Sequence, residues 1–425
     1  MTAATGIGME VRPSAFSFLA LVRRLSRARP LSVLRLGPIA NIAFLTDPES
    51  LYQAAQLEKH KILSRQNFSQ AVVFPILGEG VFSSDEAGWQ QHKQILVRYL
   101  KPSPPNLKIW RSAARKAVGG IGLGKVDGIR FCRPIVQKAL LEVMLGNILT
   151  GADRKRLHRL THRMDAMAEV ATFWVLVAGR TLGLKLAQPF QWIGFRARKQ
   201  LEKQIDRWGR DPGSLASNAR FREELRTLLF AGQDTTATAL AFVLWMFGAH
   251  PQVQEEVRQD VLESGAQSPK LQQAILETLR LLPPVHTVPV RTAMEETEIG
   301  GVPIPKGTEV IYCLWFAHRC CAQPEEFVLE RWADKAAKKQ SFPFGIGPKH
   351  CVGEHLAMTL LTEMVAAILR QRRIRSLGQE LVLRARTVLV PKQLAFRLER
   401  LSRNRPDEKG IKTLGRPFSQ KQTAL

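Results

Sequence analysis

The stretch FPFGIGPKHCVGEHLA, residues 342–357, sets one cysteine among glycines and ahead of an apolar run with helical spacing. A lone cysteine is ordinarily a small buried hydrophobe, glycine ordinarily serves a turn, and lysine ordinarily faces solvent. Cys351, however, stands where a helix should begin, and there free N–H groups and the helix dipole favour negative charge. Metal is bound by thiolate and not by thiol, so such a position suits a ligand. Gly347 and Gly353 remove side chains that would hold a flat group away from the backbone. Lys349 adds a cation that could meet the thiolate or an acidic substituent.

Around this stretch the chain has 425 residues, enough for one large domain or two or three ordinary ones. Hydrophobic residues make up 45% and charged residues 23%, which suits a globular protein with a substantial core. With 62 Lys+Arg against 37 Asp+Glu the formal charge is +25, which favours an acidic partner without choosing among nucleic acid, anionic membrane and protein. Five cysteines (Cys132, Cys313, Cys320, Cys321, Cys351) are too few and too unevenly spaced for a disulfide framework, so a reducing, cytoplasmic setting is expected. The apolar run FSFLALV, residues 16–22, is too short to span a bilayer. It reads as a first helix of the fold, with peripheral membrane contact by a basic amphipathic segment as the alternative.

Residues 34–47 (VLRLGPIANIAFLT) read as two strands about a Gly-Pro turn. Apolar spacing near 3.6 predicts helices over 89–100, 131–149 and 155–167. Between them, residues 114–128 carry G-x4-G-K at Gly119, Gly124 and Lys125. Val126 stands where a phosphate loop needs Ser or Thr, so the segment reads as a flexible loop. The longest pattern, residues 224–250, is apolar almost all round, as in a helix buried mid-protein. Gln233, Asp234, Thr235 and Thr236 interrupt it at its centre. A helix over 271–282 stops at Pro283-Pro284, short strand-like pieces follow, and a helix is expected from about 353 to 370.

Phe344, Gly347, Cys351 and Gly353 resemble the haem-binding loop of the cytochrome P-450 family. ETLR, residues 277–280, matches that family's E-x-x-R helix, LERW supplies Arg331 as its third member, and AGQDTT, residues 231–236, resembles the oxygen-binding segment of its long central helix. These elements stand in the family's order, and the resemblance covers about residues 34–398. It implies a mostly α (α+β) fold, the long central helix lying over haem with a small β-rich side. By the same resemblance Cys351 is the axial thiolate of haem b. Ala231 lets the helix pass close over the macrocycle, and Asp234 and Thr235 form the acid–alcohol pair that handles dioxygen and its protons. Trp89, Lys93, Arg291 and Lys349 match propionate-binding positions, although Lys93 and Lys349 replace arginine and lose its bidentate fork. Glu277, Arg280 and Arg331 are structural.

The activity so implied is monooxygenation: one atom of O2 enters an apolar substrate, as in hydroxylations of secondary metabolism. Two electrons would come from NAD(P)H through a separate acidic ferredoxin or flavodoxin. Docking of such a donor near Lys93, Arg98, Lys101 and Lys349 is a use for the positive charge. The haem domain is expected over residues 1–400, with a loose basic tail over 401–425 and no fused flavin or iron–sulfur domain. Pocket segments are expected at 68–77, 164–186, 230–233 and 285–289, with His286 either a polar anchor or an incidental core residue. His92 and His350 read as auxiliary, and His318 as lying at the haem edge or in the core. Four further departures stand out: Leu329 in place of proline, and compact segments at 157–222, 318–324 and 332–342. A zinc site built from His318, Cys320, Cys321, His350 and Cys351 lacks the usual spacing. A nucleic-acid binder lacks a clustered basic motif. A peroxide-driven or electron-independent haem enzyme commonly lacks the acid–alcohol pair that is present here.

Overall fold

The apolar segment around AGQDTT forms one 31-residue helix, Ala219–Ala249, and the other helices are arranged about it. This computed structural model describes residues 9–11, 31–35, 41–84, 86–146, 149–210, 217–288 and 290–401. The apolar run 16–22 and the tail beyond 401 lie outside the described residues.

In chain order the main helices are α1 (Pro48–Lys59), α2 (Glu86–Leu100), α3 (Pro104–Val118), α4 (Gly128–Leu145), α5 (Gly151–Trp208), α6 (Ala219–Ala249), α7 (Pro251–Ser264), α8 (Pro269–Leu281) and α9 (Glu354–Leu369). Their starts follow local chemistry. Asp47 accepts from the N–H of Ser50 at 2.9 Å and Ser268 from that of Leu271 at 3.0 Å, satisfying donors that a helix end leaves open. Proline occupies the first turn of α1, α3, α7 and α8, where its missing N–H costs nothing. Thr150 and Asp153 form a reciprocal capping box at the start of α5.

Helix α6 packs against α4 most extensively, and also against α5, α8 and α9. Residues Leu240 to Phe247 are almost wholly buried. Among the described residues, 221–249 is the one helix long and apolar enough to cross a membrane, and 72% of its apolar window is buried within the fold. Helix α5 is bent back on itself: Gly179 (φ 72°, ψ 173°) separates 151–178 from 180–208. Gly183 lies so close to the returning chain that a Cβ there would sit 2.4 Å from the carbonyl oxygen of Trp174.

The strands β1 (Met9–Val11), β2 (Leu31–Arg35), β3 (Asn41–Leu45), β4 (Leu63–Ser64), β5 (Gly124–Asp127), β6 (Arg291–Ala293), β7 (Thr297–Ile299), β8 (Val302–Ile304), β9 (Glu309–Tyr312), β10 (Arg372–Ser376), β11 (Leu381–Ala385), β12 (Leu389–Pro391) and β13 (Ala395–Arg400) form small sheets. Their orders are β2-β3-β9-β6-β4, β10-β13-β5, β1-β11-β12 and β7-β8. The antiparallel pairing of β2 with β3 agrees with the reading of residues 34–47. Residues 114–128 do not form the flexible loop expected. Residues 114–118 finish α3, and β5 pairs antiparallel with β13, Val126 opposite Phe396. Gly128 then donates to the carbonyl of Leu394 at 2.6 Å, and its bare Cα leaves room for the Leu394 side chain. The partner strand is some 270 residues away, so nothing in the local sequence announces it.

Candidate active site

The loop before α9 holds its cysteine as the glycine pattern requires. Gly345 and Gly347 both adopt φ near +81°, a region closed to most side chains. The Cys351 N–H donates to the carbonyl of Phe344 at 2.9 Å. The reason for Gly347 differs from the one expected. Its bare Cα faces α1, where an added Cβ would lie 3.0 Å from the Cβ of Ala55. It therefore seats the loop on α1. Gly353, whose Cβ would stand 3.9 Å from the Cys351 sulfur, is the glycine that keeps space beside the thiol.

Cys351 is solvent-accessible, yet burial is the first cause of a thiol pKa raised above its ordinary value. The backbone N–H groups of Gly353 and Glu354 pull the other way, and the Glu354 carboxylate adds to the rise. The N–H groups at the helix start favour the thiolate, as expected, and desolvation opposes them. A cation at the sulfur would reverse the balance, so this environment fits a metal ligand. Lys349 does not supply that cation: its Nζ lies 3.4 Å from the centre of the Trp89 ring.

The propionate candidates divide. Trp89, Lys93 and Lys349 come together, with Lys93 Nζ 4.8 Å from the same ring centre and donating to the carbonyl of Pro348 at 3.2 Å. They tie α2 to the cysteine loop. Arg291 is in a buried ion pair with Glu58 at 3.2 Å and stacked over Tyr312 at 4.3 Å, and the Glu58 oxygen it meets stands 3.6 Å from where a Cβ on Gly347 of the cysteine loop would be. A guanidinium this deep needs a counter-charge, and Glu58, 233 positions earlier, supplies one the sequence reading missed.

The expected structural triad is assembled in full. Arg280 binds Glu277 through two hydrogen bonds of 2.9 Å, and Arg331 reaches the same carboxylate at 3.3 Å. Trp332 Nε1 (2.9 Å) and the N–H of Val328 (3.1 Å) complete the acid. The remaining guanidinium donors go to the carbonyls of His318, Pro324 and Glu326 on Arg280, and of Ala322 and Gln323 on Arg331. A buried pair costs much unless its spare groups are satisfied, and here five carbonyls of the compact 318–326 segment satisfy them. His318 is core. Its Nδ1 meets the carbonyl of Arg280 at 3.1 Å, its Nε2 accepts from the N–H of Phe342 at 2.9 Å, and burial lowers its pKa to about 3. With both ring nitrogens used it cannot ligate zinc. No cluster of three or more potential ligands occurs among the described residues.

On α6, Phe230, Ala231, Gly232, Asp234 and Thr235 are partly accessible although the helix beyond them is buried. Thr235 Oγ1 donates to the carbonyl of Ala231 at 2.7 Å. Its own proton is thus committed, and its lone pairs are left to accept. Asp234 Oδ1 takes Arg133 Nε of α4 at 2.9 Å. Of the auxiliary histidines, His350 pairs with Glu354 at 3.3 Å near the surface. His92 is buried against Glu224, which first among its neighbours raises its pKa. His286 is buried, bonds the carbonyl of Arg386 at 2.6 Å, and is lowered to about 4 by desolvation. A polar cleft of about 430 Å³ lined by Arg111, Arg115, Glu363 and Arg370 lies several turns along α9 from Cys351. Its one carboxylate, Glu363, is shared by Arg111 and Arg115 at 3.4 and 2.7 Å.

An accessible thiol at the start of α9, a complete Glu–Arg–Arg triad and a polar break in a buried helix stand at the positions that the resemblance to the cytochrome P-450 family picks out. The cytochrome P450 family profile matches residues 199–394. The chain is 32% identical over 414 residues to cytochrome P450 4V2 of Mus musculus, covering 81% of this chain and 77% of that protein. It is 36% identical over 170 residues to cyclooctat-9-en-7-ol 5-monooxygenase of Streptomyces melanosporofaciens, 36% of this chain and 37% of that one. Several such matches span only about a third of the relatives' own length. The haem domain of cytochrome P450DA superposes with a TM-score of 0.73 at 18% identity, over 92% of this chain and 93% of that one. The chain belongs to the cytochrome P450 family.

Proposed function

We propose that the protein is a haem-thiolate monooxygenase that inserts one oxygen atom of O2 into an apolar substrate, with electrons from a separate donor. The observation that carries this is the Cys351 thiol, accessible yet desolvated at the start of α9. The family relationship, including a relative named as a monooxygenase, supports it. Haem b would be held by Cys351 on iron, with Phe344 and Gly353 beside it and Trp89, Lys93 and Lys349 toward the propionates. Arg291 would reach a propionate only by sharing itself with Glu58. When bound, the haem supplies dioxygen activation, the thiolate donating electron density that favours O–O cleavage.

The chain's own residues have separate tasks. Ala231 and Gly232 keep the face of α6 low. Thr235, its proton parked on Ala231, accepts a hydrogen bond from a protonated oxygen or water, and Asp234 holds the proton to be delivered. That both are present favours O2 with electrons over a peroxide-driven or electron-independent reaction. Apolar residues of 68–77, 164–186, 230–233 and 285–288 would enclose the substrate. Exposed Arg98 and Lys101, at the end of the helix that carries Trp89 and Lys93, would receive an acidic ferredoxin or flavodoxin. Its electron-transfer rate should therefore fall as salt is raised from about 0.01 to 0.5 M, and indifference to salt would refute that docking.

The deciding experiment is the carbon monoxide difference spectrum of the reduced protein. A thiolate-type band that disappears in Cys351→Ser is expected, and a histidine-type band, or no tetrapyrrole, would overturn the reading.

A further inference from the structure

We propose that the cleft between α3, α9 and the turn that ends α7 binds an organic phosphate, whose phosphate group is held by Arg111, Arg115 and Arg370. The site is separate from the cysteine loop. Glu363, where α9 enters the cleft, stands nine residues beyond Glu354, or about 14 Å of helix at 1.5 Å per residue. The proposal does not depend on the haem reading, and its failure would leave that reading intact.

The three guanidiniums are each fixed along one edge. Arg115 forks onto Glu363, with Nε 2.7 Å from Oε2 and Nη2 3.3 Å from Oε1, and Arg111 Nε reaches the same Oε1 at 3.4 Å. Glu363 is only 5% exposed, so it acts as an internal counter-charge that orients the two arginines. Arg370 Nη2 donates to the carbonyl of Val261 on α7 at 3.1 Å. Both Nη atoms of Arg111, Nη1 of Arg115, and Nε and Nη1 of Arg370 have no protein partner among the described residues. Three cations against one carboxylate leave the cleft two charges positive, which a phosphate dianion matches. Guanidinium donors fit phosphate oxygens in pairs, and side chains already held in place lose little entropy on binding.

The size of the cleft says that the ligand is more than the ion. Its volume of about 430 Å³ lies in the range of small-molecule sites. Besides the arginines it is lined by Ala266, Ala366 and Ala367, whose methyl groups offer an apolar seat for the body of an ester. Gly265, which ends α7 at φ 67°, donates to the same Val261 carbonyl that Arg370 uses. A Cβ there would stand 3.5 Å from Arg370 Nη2, so the turn closes on the guanidinium with no side chain over it. An acidic protein donor is the competing occupant, since its carboxylates would meet the same cations.

The test titrates inorganic phosphate and phenyl phosphate into the holoenzyme by calorimetry, with ionic strength held constant by chloride. Each should bind once per chain, phenyl phosphate about fivefold more tightly or better, with slower amide exchange over 261–267 and 363–371. Arg111→Gln and Arg370→Gln should each weaken binding by about tenfold. Arg111→Lys, which keeps the charge without the fork, should weaken it as well. No saturable binding, or affinity unchanged in both glutamine variants, overturns the site. Phenyl phosphate binding no tighter than phosphate overturns the organic ligand. If phosphate does not bind while Arg111→Gln slows electron transfer from an acidic ferredoxin, the cleft belongs to the protein donor and the proposal is wrong.

Discussion

At the scale of single residues the most exacting site outside the cysteine loop is Arg280. Its guanidinium is 1% exposed and meets one carboxylate and three carbonyls. Lysine keeps the charge but has no planar fork to reach them all. Arg280→Lys should destabilise the protein by on the order of 3 kcal/mol, seen as a lower urea midpoint with unchanged slope. An unaltered midpoint would mean that the triad is held by backbone packing alone. Much at this scale was legible beforehand. The Glu277–Arg280 pair, the cysteine loop and the polar break in α6 are legible from short strings because each lies within one helix or loop. Arg331, 54 positions from Glu277, is placed only by the family resemblance of LERW. Trp332, Glu58 and Arg133 are legible in neither way, since each meets its partner across 55, 233 and 101 positions respectively. Pairing over such distances is decided by the fold.

Among the elements, α5 shows how a glycine can decide architecture. The pattern over 155–167 gave a helix, but nothing in that spacing showed that it would continue, turn at Gly179 and return. The return leg passes Trp174 at Gly183 with no room for a side chain, and the obstructing atoms are backbone. Gly183→Ala must therefore separate the two legs, at a cost of about 1–3 kcal/mol. Faster amide exchange over 170–186, with that of α9 unchanged, is the expected signature. Equal exchange throughout would show that the bend can open without strain. The strands were harder to read than the helices. Those after 371 pair with segments far away in sequence, and their strand-forming residues are interspersed with arginines that a local pattern reads as solvent-exposed.

For the molecule as a whole, acid is the condition to which the core should be most sensitive. His318 and His286 have folded pKa values of about 3 and about 4, both lowered first by burial from 6.5. A lowered histidine pKa gives stability that is complete above 6.5 and is lost as pH falls below it, because the unfolded chain takes up protons that the fold refuses. Between about pH 6 and 4 the two together contribute a slope of about 2–3 kcal/mol per pH unit. His286→Gln should remove about half of that slope in urea titrations repeated across pH. A slope unchanged by the substitution would place the acid sensitivity elsewhere.

The pairing of β5 with β13 bears on how the protein comes into being in the cell. Residues 124–127 join α3 to α4, yet the strand that fixes them is 395–400, translated some 270 residues later. The early helices must wait, incompletely docked, while some 270 further residues emerge. Docking of this layer is then a slow non-local closure, during which chaperones would find exposed apolar surface.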